Sequence, residues 1–216
     1  MSRTAPKVVG VALALLGLLL TGAGSWFAAH LGGSGAATFM ARPSTSAPLV
    51  VGPDVLNRVD GPVRVTVTSA KGGIGWIGVA APSNAAAVLG SDARVVVTGV
   101  DVKTWAVRTT TSGSGVPDAD LRTADVWVRS QTGSRAVTMT LAQSDAPQTV
   151  VVLTEKGRLS TVTVTWVHKA WFVQAVVAAL VGLALLAGGA LLLWPRPTRD
   201  EGITASSGTA RLGVAA

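Results

Sequence analysis

Residues 72–80 read Gly-Gly-Ile-Gly-Trp-Ile-Gly-Val-Ala, and Gly73, Gly75 and Gly78 spell G-x-G-x-x-G. As a dinucleotide fingerprint the stretch would demand an α/β fold, with the glycines at a strand-to-helix turn and a helix N-terminus facing a pyrophosphate. As a strand that contains glycines, it belongs to a β fold. The surroundings favour the strand. A Lys71-Gly-Gly turn precedes it, Trp-Ile-Gly-Val-Ala has strand character itself, and the nearest helical pattern begins only after Pro82. The glycines are then expected to let backbone or the Trp76 ring pack closely over the strand. No nucleotide partner is expected.

Working outward, runs of the same kind recur. Residues 63–68 alternate Val-Arg-Val-Thr-Val-Thr, one face apolar and one polar. Further strands are predicted at 74–81, 94–102, 105–110, 125–130, 136–142, 149–154 and 161–168, separated by turn residues such as Ser112-Gly-Ser-Gly, Thr132-Gly-Ser and Glu155-Lys-Gly. Eight short β-branched strands at this spacing predict a mainly β domain, an antiparallel β-sandwich or jelly roll. One or two helical turns are expected at 83–89, with Ser83 as N-cap and Gly90 closing them.

The ends of the chain are different. Residues 8–29 contain no charge, and residues 171–194 contain Gln174 as their strongly polar side chain. At about 1.5 Å rise per residue, each is long enough to cross a hydrocarbon layer of roughly 30 Å. The expected plan is a cytoplasmic N-terminus (1–7), a first transmembrane helix (8–29), a linker (30–59), an extracytoplasmic β-domain (60–168), a second transmembrane helix (171–194) and a disordered cytoplasmic tail (195–216). Orientation follows from Arg3 and Lys7 before the first span and Arg196 and Arg199 after the second. Trp26, Phe27, Trp166, Trp171 and Phe172 are expected at the outer membrane interface and Trp194 at the inner one. The alternative for residues 1–29 is a cleaved signal peptide, with small residues around Thr21-Gly-Ala-Gly24. Against cleavage, apolar character continues through Trp26 and Phe27.

Composition agrees with a membrane protein. The chain is 49% hydrophobic, 13% charged and has a mean hydropathy of +0.49, which is apolar for a soluble domain. It has no cysteine, which excludes disulfides, thiolate chemistry and Cys-ligated metals. The net charge of +7 is spread without a basic run, so nucleic acid is not an expected partner.

Within the spans, Gly10, Ala14, Gly17, Thr21 and Gly24 recur at alternating four- and three-residue spacing, on one helix face, and Ala175, Ala179 and Gly182 do the same. Small faces let transmembrane backbones approach closely. The spans are therefore expected to pack as a hairpin beneath the domain.

The order of features resembles a group of uncharacterised actinobacterial envelope proteins with two spans and an exported β-domain. The residues that carry the likeness are Pro48-Leu-Val-Val-Gly-Pro53, Gly61-Pro-Val-Arg-Val-Thr-Val67, Trp76-Ile-Gly-Val-Ala80, Val97-Thr-Gly-Val-Asp-Val-Lys-Thr-Trp105, Ala124-Asp-Val-Trp127, Pro147-Gln-Thr-Val-Val-Val152 and the closing span. The resemblance covers most of the chain and implies location and fold; none of these motifs is a catalytic signature.

Chemistry-bearing residues are sparse. His30 and His168 flank the spans, away from any Ser or Asp cluster, so a Ser-His-Asp arrangement is not expected. Asp118, Asp120 and Asp125 form the densest acidic patch and are weak candidates for a Ca²⁺ site, without the glycine and closing glutamate of an EF-hand loop. Asp101 and Asp125 are the conceivable carboxylate pair for glycoside cleavage. Trp76, Trp105 and Trp127 sit in apolar strand runs and are expected in the core rather than on a sugar-binding platform. The expectation is a non-enzymatic membrane protein without catalytic residues or cofactor. Its β-domain would contact another envelope protein, as an accessory or scaffold subunit; membrane lipid is the other expected partner. The alternatives are a module that binds envelope glycan or lipid head groups, and, third, a hydrolase with an unrecognised carboxylate site.

Overall fold

The computed structural model describes residues 5–116, 121–142 and 147–194; the tail expected at 195–216 lies outside them. The chain runs α1 (Ala5–Leu31), β1 (Ala36–Ala41), β2 (Leu49–Val51), α2 (Pro53–Leu56), β3 (Val63–Ser69), β4 (Ile74–Ala80), α3 (Pro82–Leu89), β5 (Arg94–Asp101), β6 (Ala106–Ser112), a 3-10 turn (Leu121–Thr123), β7 (Arg129–Gly133), β8 (Ala136–Leu141), β9 (Thr149–Lys156), β10 (Leu159–Val167) and α4 (Lys169–Leu193).

The strands form one ten-stranded sheet in the order β7-β4-β9-β2-β5-β6-β1-β10-β3-β8. Its two edge strands, β7 and β8, are consecutive in the chain and joined by a tight turn, so the sheet curls into a nearly closed barrel. Ser69 N–H donates to Arg135 O at 3.1 Å, which extends the β3–β8 ladder into this turn. The mainly β class expected from the alternating runs is present. The sheet is continuous, however, and two of its junctions are parallel, β2 with β5 and β1 with β6, where two facing antiparallel sheets were expected.

The interior is filled by the apolar half of each alternating strand. Val63, Val65 and Val67 of β3 are fully buried, as are Val162 and Val164 of β10, Val150 and Val152 of β9 and Leu49 and Val51 of β2. On the outer face, threonines meet across strands: Thr66 and Thr138 Oγ1 lie 2.9 Å apart, Thr38 and Thr165 Oγ1 3.0 Å. β4 departs from alternation because both its faces are covered. Ile77 and Val79 face the barrel core, while Trp76 and Ala80 pack outside it with Ala85 and Leu89 of α3, Leu121 and the half-buried Trp127.

The glycines of the opening motif have steric jobs in this strand. A Cβ at Gly78 would run into the Trp76 ring and come within 2.8 Å of Trp127 Cε3. One at Gly75 would meet Ser69 Oγ at 2.9 Å and Val137 Cγ1 at 3.3 Å, where the pairing of β4 with β9 shifts register. β4 ends at Ala80, after the last of these glycines, and no helix begins among them.

Three boundaries differ from the sequence reading. The segment expected as a linker contributes β1, β2 and α2; β1 lies between β6 and β10, well inside the sheet. Its alternation is short (Ala-Ala-Thr-Phe-Met-Ala), and the adjacent Gly-Gly-Ser-Gly and Arg-Pro-Ser hide it. The strand expected at 125–130 begins at Arg129, because the preceding residues cover the outside of β4. α3 begins at Pro82 with Ala81 as N-cap and no side-chain cap, since Pro at the first helical position presets the backbone; Ser83 lies inside the helix. Gly90 closes α3 with φ of 45°, as expected.

α1 and α4 are each long and apolar enough to cross a membrane, over Lys7–Leu31 and Lys169–Leu193. They pack against each other along their length, and their outer faces expose Val8, Leu15, Leu19, Val173, Leu180 and Leu191.

Candidate functional site

The contact between α1 and α4 is built on the small-residue stripes. Gly10, Gly17 and Gly24 are buried against α4, and Ala175 and Gly182 against α1. A Cβ at Gly17 would stand 2.5 Å from Leu186 N and 2.6 Å from Gly182 O; one at Gly24 would stand 2.6 Å from Ala179 N and 2.7 Å from Ala175 O. Gly182 faces Thr21 in the same way, and Thr21 Oγ1 donates to Gly17 O at 2.7 Å, with Ala179 O at 3.5 Å. Ala14 meets Gly189, a contact residue that the sequence reading did not include. Gly189 lies seven residues beyond Gly182 and extends the same stripe by two turns.

Above this interface the helices enter the sheet directly. β1 starts at Ala36, five residues after Leu31, and α4 starts at Lys169, two residues after Val167. β1 and β10 pair antiparallel from Ala36 opposite Val167 onward. Gly35, at φ of 65°, packs on the His168 carbonyl so closely that no side chain fits, and His168 N–H donates back to Gly35 O at 3.1 Å.

A chain of aromatic rings crosses the junction. His30 and Trp26 of α1 lie against Trp105, at centroid distances of 5.1 and 5.8 Å, and the imidazole is parallel to the indole within 6°. Trp105 stacks in turn on Phe39 of β1 at 5.1 Å, and Phe39 meets Trp166 of β10 edge-on at 5.7 Å. Trp105 ends the β5–β6 turn with φ of 52°, a left-handed conformation that a bulky side chain rarely adopts. Its carbonyl accepts from Met40 N–H at 3.1 Å, which holds that backbone in place. Its Nε1 is buried and has no hydrogen-bond partner among the described residues.

Beside these rings lies an apolar cavity of about 540 Å³ between the helical pair and the sheet. Its walls come from Leu20, Ala23 and Phe27 of α1, Ala175 and Ala178 of α4, Val100, Val102 and Trp105 of the β5–β6 region, and Phe39 and Trp166. Arg58 and Gln174 are its polar side chains apart from the indoles. The Arg58 Nε donates to Asp54 O at 3.2 Å, and its guanidinium lies over Gly99. Water fits poorly, since each molecule needs two to four polar partners. The cavity is open to the outside.

The remaining residues singled out by sequence are dispersed. Trp26 and Phe27 are exposed on α1, Trp171 and Phe172 are half-buried at the start of α4, and Trp194 is exposed beyond its end. Trp166 is different: only 3% exposed, it donates from Nε1 to Leu56 O at 3.3 Å and packs in the protein core rather than facing an interface. It falls on the inward phase of β10, a strand whose reach to Val167 leaves it inside the domain. Asp118 and Asp120 lie outside the described residues; Asp125 is exposed, and neighbouring Arg122 pairs with Glu155 at 3.0 Å. No group of three or more His, Asp or Glu side chains gathers as metal ligands among the described residues. Asp101 ends β5 and Asp125 lies before β7, with β4, β9 and β2 between those two strands in the sheet. The Lys103 backbone N–H donates to Asp101 Oδ1 at 2.9 Å and holds this carboxyl below its usual range. Trp76 is buried, and Trp105 and Trp127 are half-buried, with Trp127 Nε1 donating to Leu121 O at 2.9 Å.

Comparison of the chain with protein-family models, with curated proteins and with solved structures found no match.

Proposed function

We propose that α1 and α4 cross the plasma membrane of an actinobacterial-type envelope as a hairpin, with both chain ends cytoplasmic and the β-domain outside. There the domain serves as a non-catalytic accessory or scaffold subunit that contacts another envelope protein. The observation that carries this reading is the direct continuation of the α1–α4 pair into the β1–β10 ladder. No flexible stalk separates helices from sheet, so the domain's orientation to the bilayer is fixed. A fixed mount suits a subunit that meets a neighbour in the same membrane; a diffusing binder or a substrate-seeking enzyme gains nothing from it. The unpartnered valines and leucines outside the helical pair suit hydrocarbon and not water.

Glycan recognition is less well supported. Stacking on sugar needs open indole faces, whereas Trp76 is 4% exposed and Trp127 packs edge-on against it at 5.0 Å.

Two measurements on the full chain test the reading. Tags at either end should be inaccessible in intact cells, and a tag in the β-domain accessible; a protease-protected β-domain would sink the topology. Photo-cross-linkers at Val116 and Val128, which are 89% and 76% exposed, should give a discrete protein adduct that co-purifies stoichiometrically. If cell-wall polymer is retained by the solubilised protein instead, glycan binding takes the place of the partner reading.

A further inference from the structure

We propose that the junction cavity is a lipid site, holding one acyl chain of an anionic membrane phospholipid whose phosphate is met by Arg58. The proposal rests on the reading that α1 and α4 cross a membrane. Four observations converge on it.

The cavity follows α1 from Leu31 down to Leu20 and α4 from Trp171 down to Ala178. At about 1.5 Å per residue this is roughly 10–16 Å of depth, comparable with half of a hydrocarbon core of about 30 Å. It therefore reaches into one leaflet, at the end of the helices nearest the sheet. Its walls are hydrocarbon and indole, which favour an acyl chain and disfavour water or a sugar.

The charge is placed for a headgroup. Arg58 is the cationic side chain of the lining, is exposed, and has no ion pair among the described residues. A guanidinium offers a phosphate several donors at once. Trp105 contributes its ring to the same lining. The strained backbone that places Trp105 there is the kind of local cost that persists at ligand sites.

The test uses the full chain in nanodiscs that mix phosphatidylglycerol and phosphatidylcholine. The protein is then moved to detergent, and retained lipid is counted by native mass spectrometry. The wild type should keep about one phospholipid. Phosphatidylglycerol should be preferred by about tenfold, because phosphatidylcholine offers the same phosphate with a choline cation beside it that opposes Arg58. Ala178→Trp, and independently Ala23→Phe, should fill the cavity and abolish retention with an unchanged thermal transition. Arg58→Gln should keep the lipid and lose the preference. Phosphatidylglycerol brominated on its acyl chains should quench the wild type more than Trp105→Phe. A protein that carbonate strips from membranes loses both the spanning reading and this one. An embedded protein whose cavity-filled variants retain lipid as before overturns the site alone, as does a polypeptide cross-linked into the cavity. An Arg58→Gln variant with undiminished preference overturns the headgroup assignment.

Discussion

Gly17→Ala tests how closely the two long helices depend on their backbones touching. A Cβ at position 17 would stand 2.5 Å from Leu186 N, 2.6 Å from Gly182 O and 2.9 Å from Leu186 Cα. Ordinary contact begins near 3.4 Å, and all three obstacles are backbone, so α4 must retreat by about 1 Å. A gap of that size forfeits a quarter to a half of the dispersion attraction between facing atoms, and overpacking of this kind costs about 1–3 kcal/mol. The neighbouring Thr21 approach to Ala179 O, already 3.5 Å, would be lost as well. Gly22 supplies the control, since a Cβ there has nothing within 4 Å. Gly22→Ala changes the same atom on the same helix and carries the same gain in helix propensity. In detergent, about 2 kcal/mol separating the variants corresponds to roughly 4–8 °C in melting temperature for a chain of this size. Equal melting temperatures for Gly17→Ala and Gly22→Ala would refute the close-contact argument.

Three further outcomes follow from the β-domain. Gly78→Ala should destabilise it by about 3 kcal/mol, the upper end of overpacking, because the new Cβ collides with Trp76 and Trp127; near-ultraviolet circular dichroism should lose the signal of that edge-on pair, and an unchanged spectrum would count against the packing. Asp101→Asn tests the depressed carboxyl. A folded pKa below the unfolded value of about 3.9 stabilises above that pH, and the benefit is lost as pH falls through the folded value. The wild type should therefore melt higher than the variant near neutrality, with the difference shrinking below about pH 4; a difference that grows on acidification would show the sign to be wrong. Glu155→Gln should cost under about 1 kcal/mol, since the pair with Arg122 is 32% and 36% exposed, and salt should erase the difference in urea titrations of the two proteins.

What the sequence discloses and what it conceals divide along a physical line. Strands such as β3 and β10 were legible because alternation reports one buried and one wet face, and their registers in the sheet match that phase. The helical stripe was legible for the same reason: a 3.6-residue period projects Gly10, Gly17 and Gly24 onto one side. β1 and β2 were not, because six and three residues give too short a record of either period, and the flanking glycines and prolines carry a stronger turn signal. The order of strands, with β1 bridging β6 and β10, is set by pairings that no local pattern encodes.

The junction cavity lies further still from any local signal. It takes residues from α1, β1, the segment after α2, the β5–β6 turn, β10 and α4, and each alone has the look of ordinary core or interface chemistry. Trp105 has a left-handed backbone and a buried indole N–H without a partner among the described residues, and both exist only in three dimensions. Its sequence context, Lys103-Thr-Trp-Ala106, is that of a turn entering a strand, and it predicts burial, which Trp105 has only in part. The partial burial is the informative observation. A core tryptophan closes its surroundings, whereas this one is pinned between His30 and Phe39 and borders a space that its own domain does not fill. The helices that complete the walls of that space are the two that are long and apolar enough to cross a bilayer. On the proposed membrane-spanning reading, lipid is the solvent on the open side, which gives it a physical reason to enter that a soluble ligand lacks.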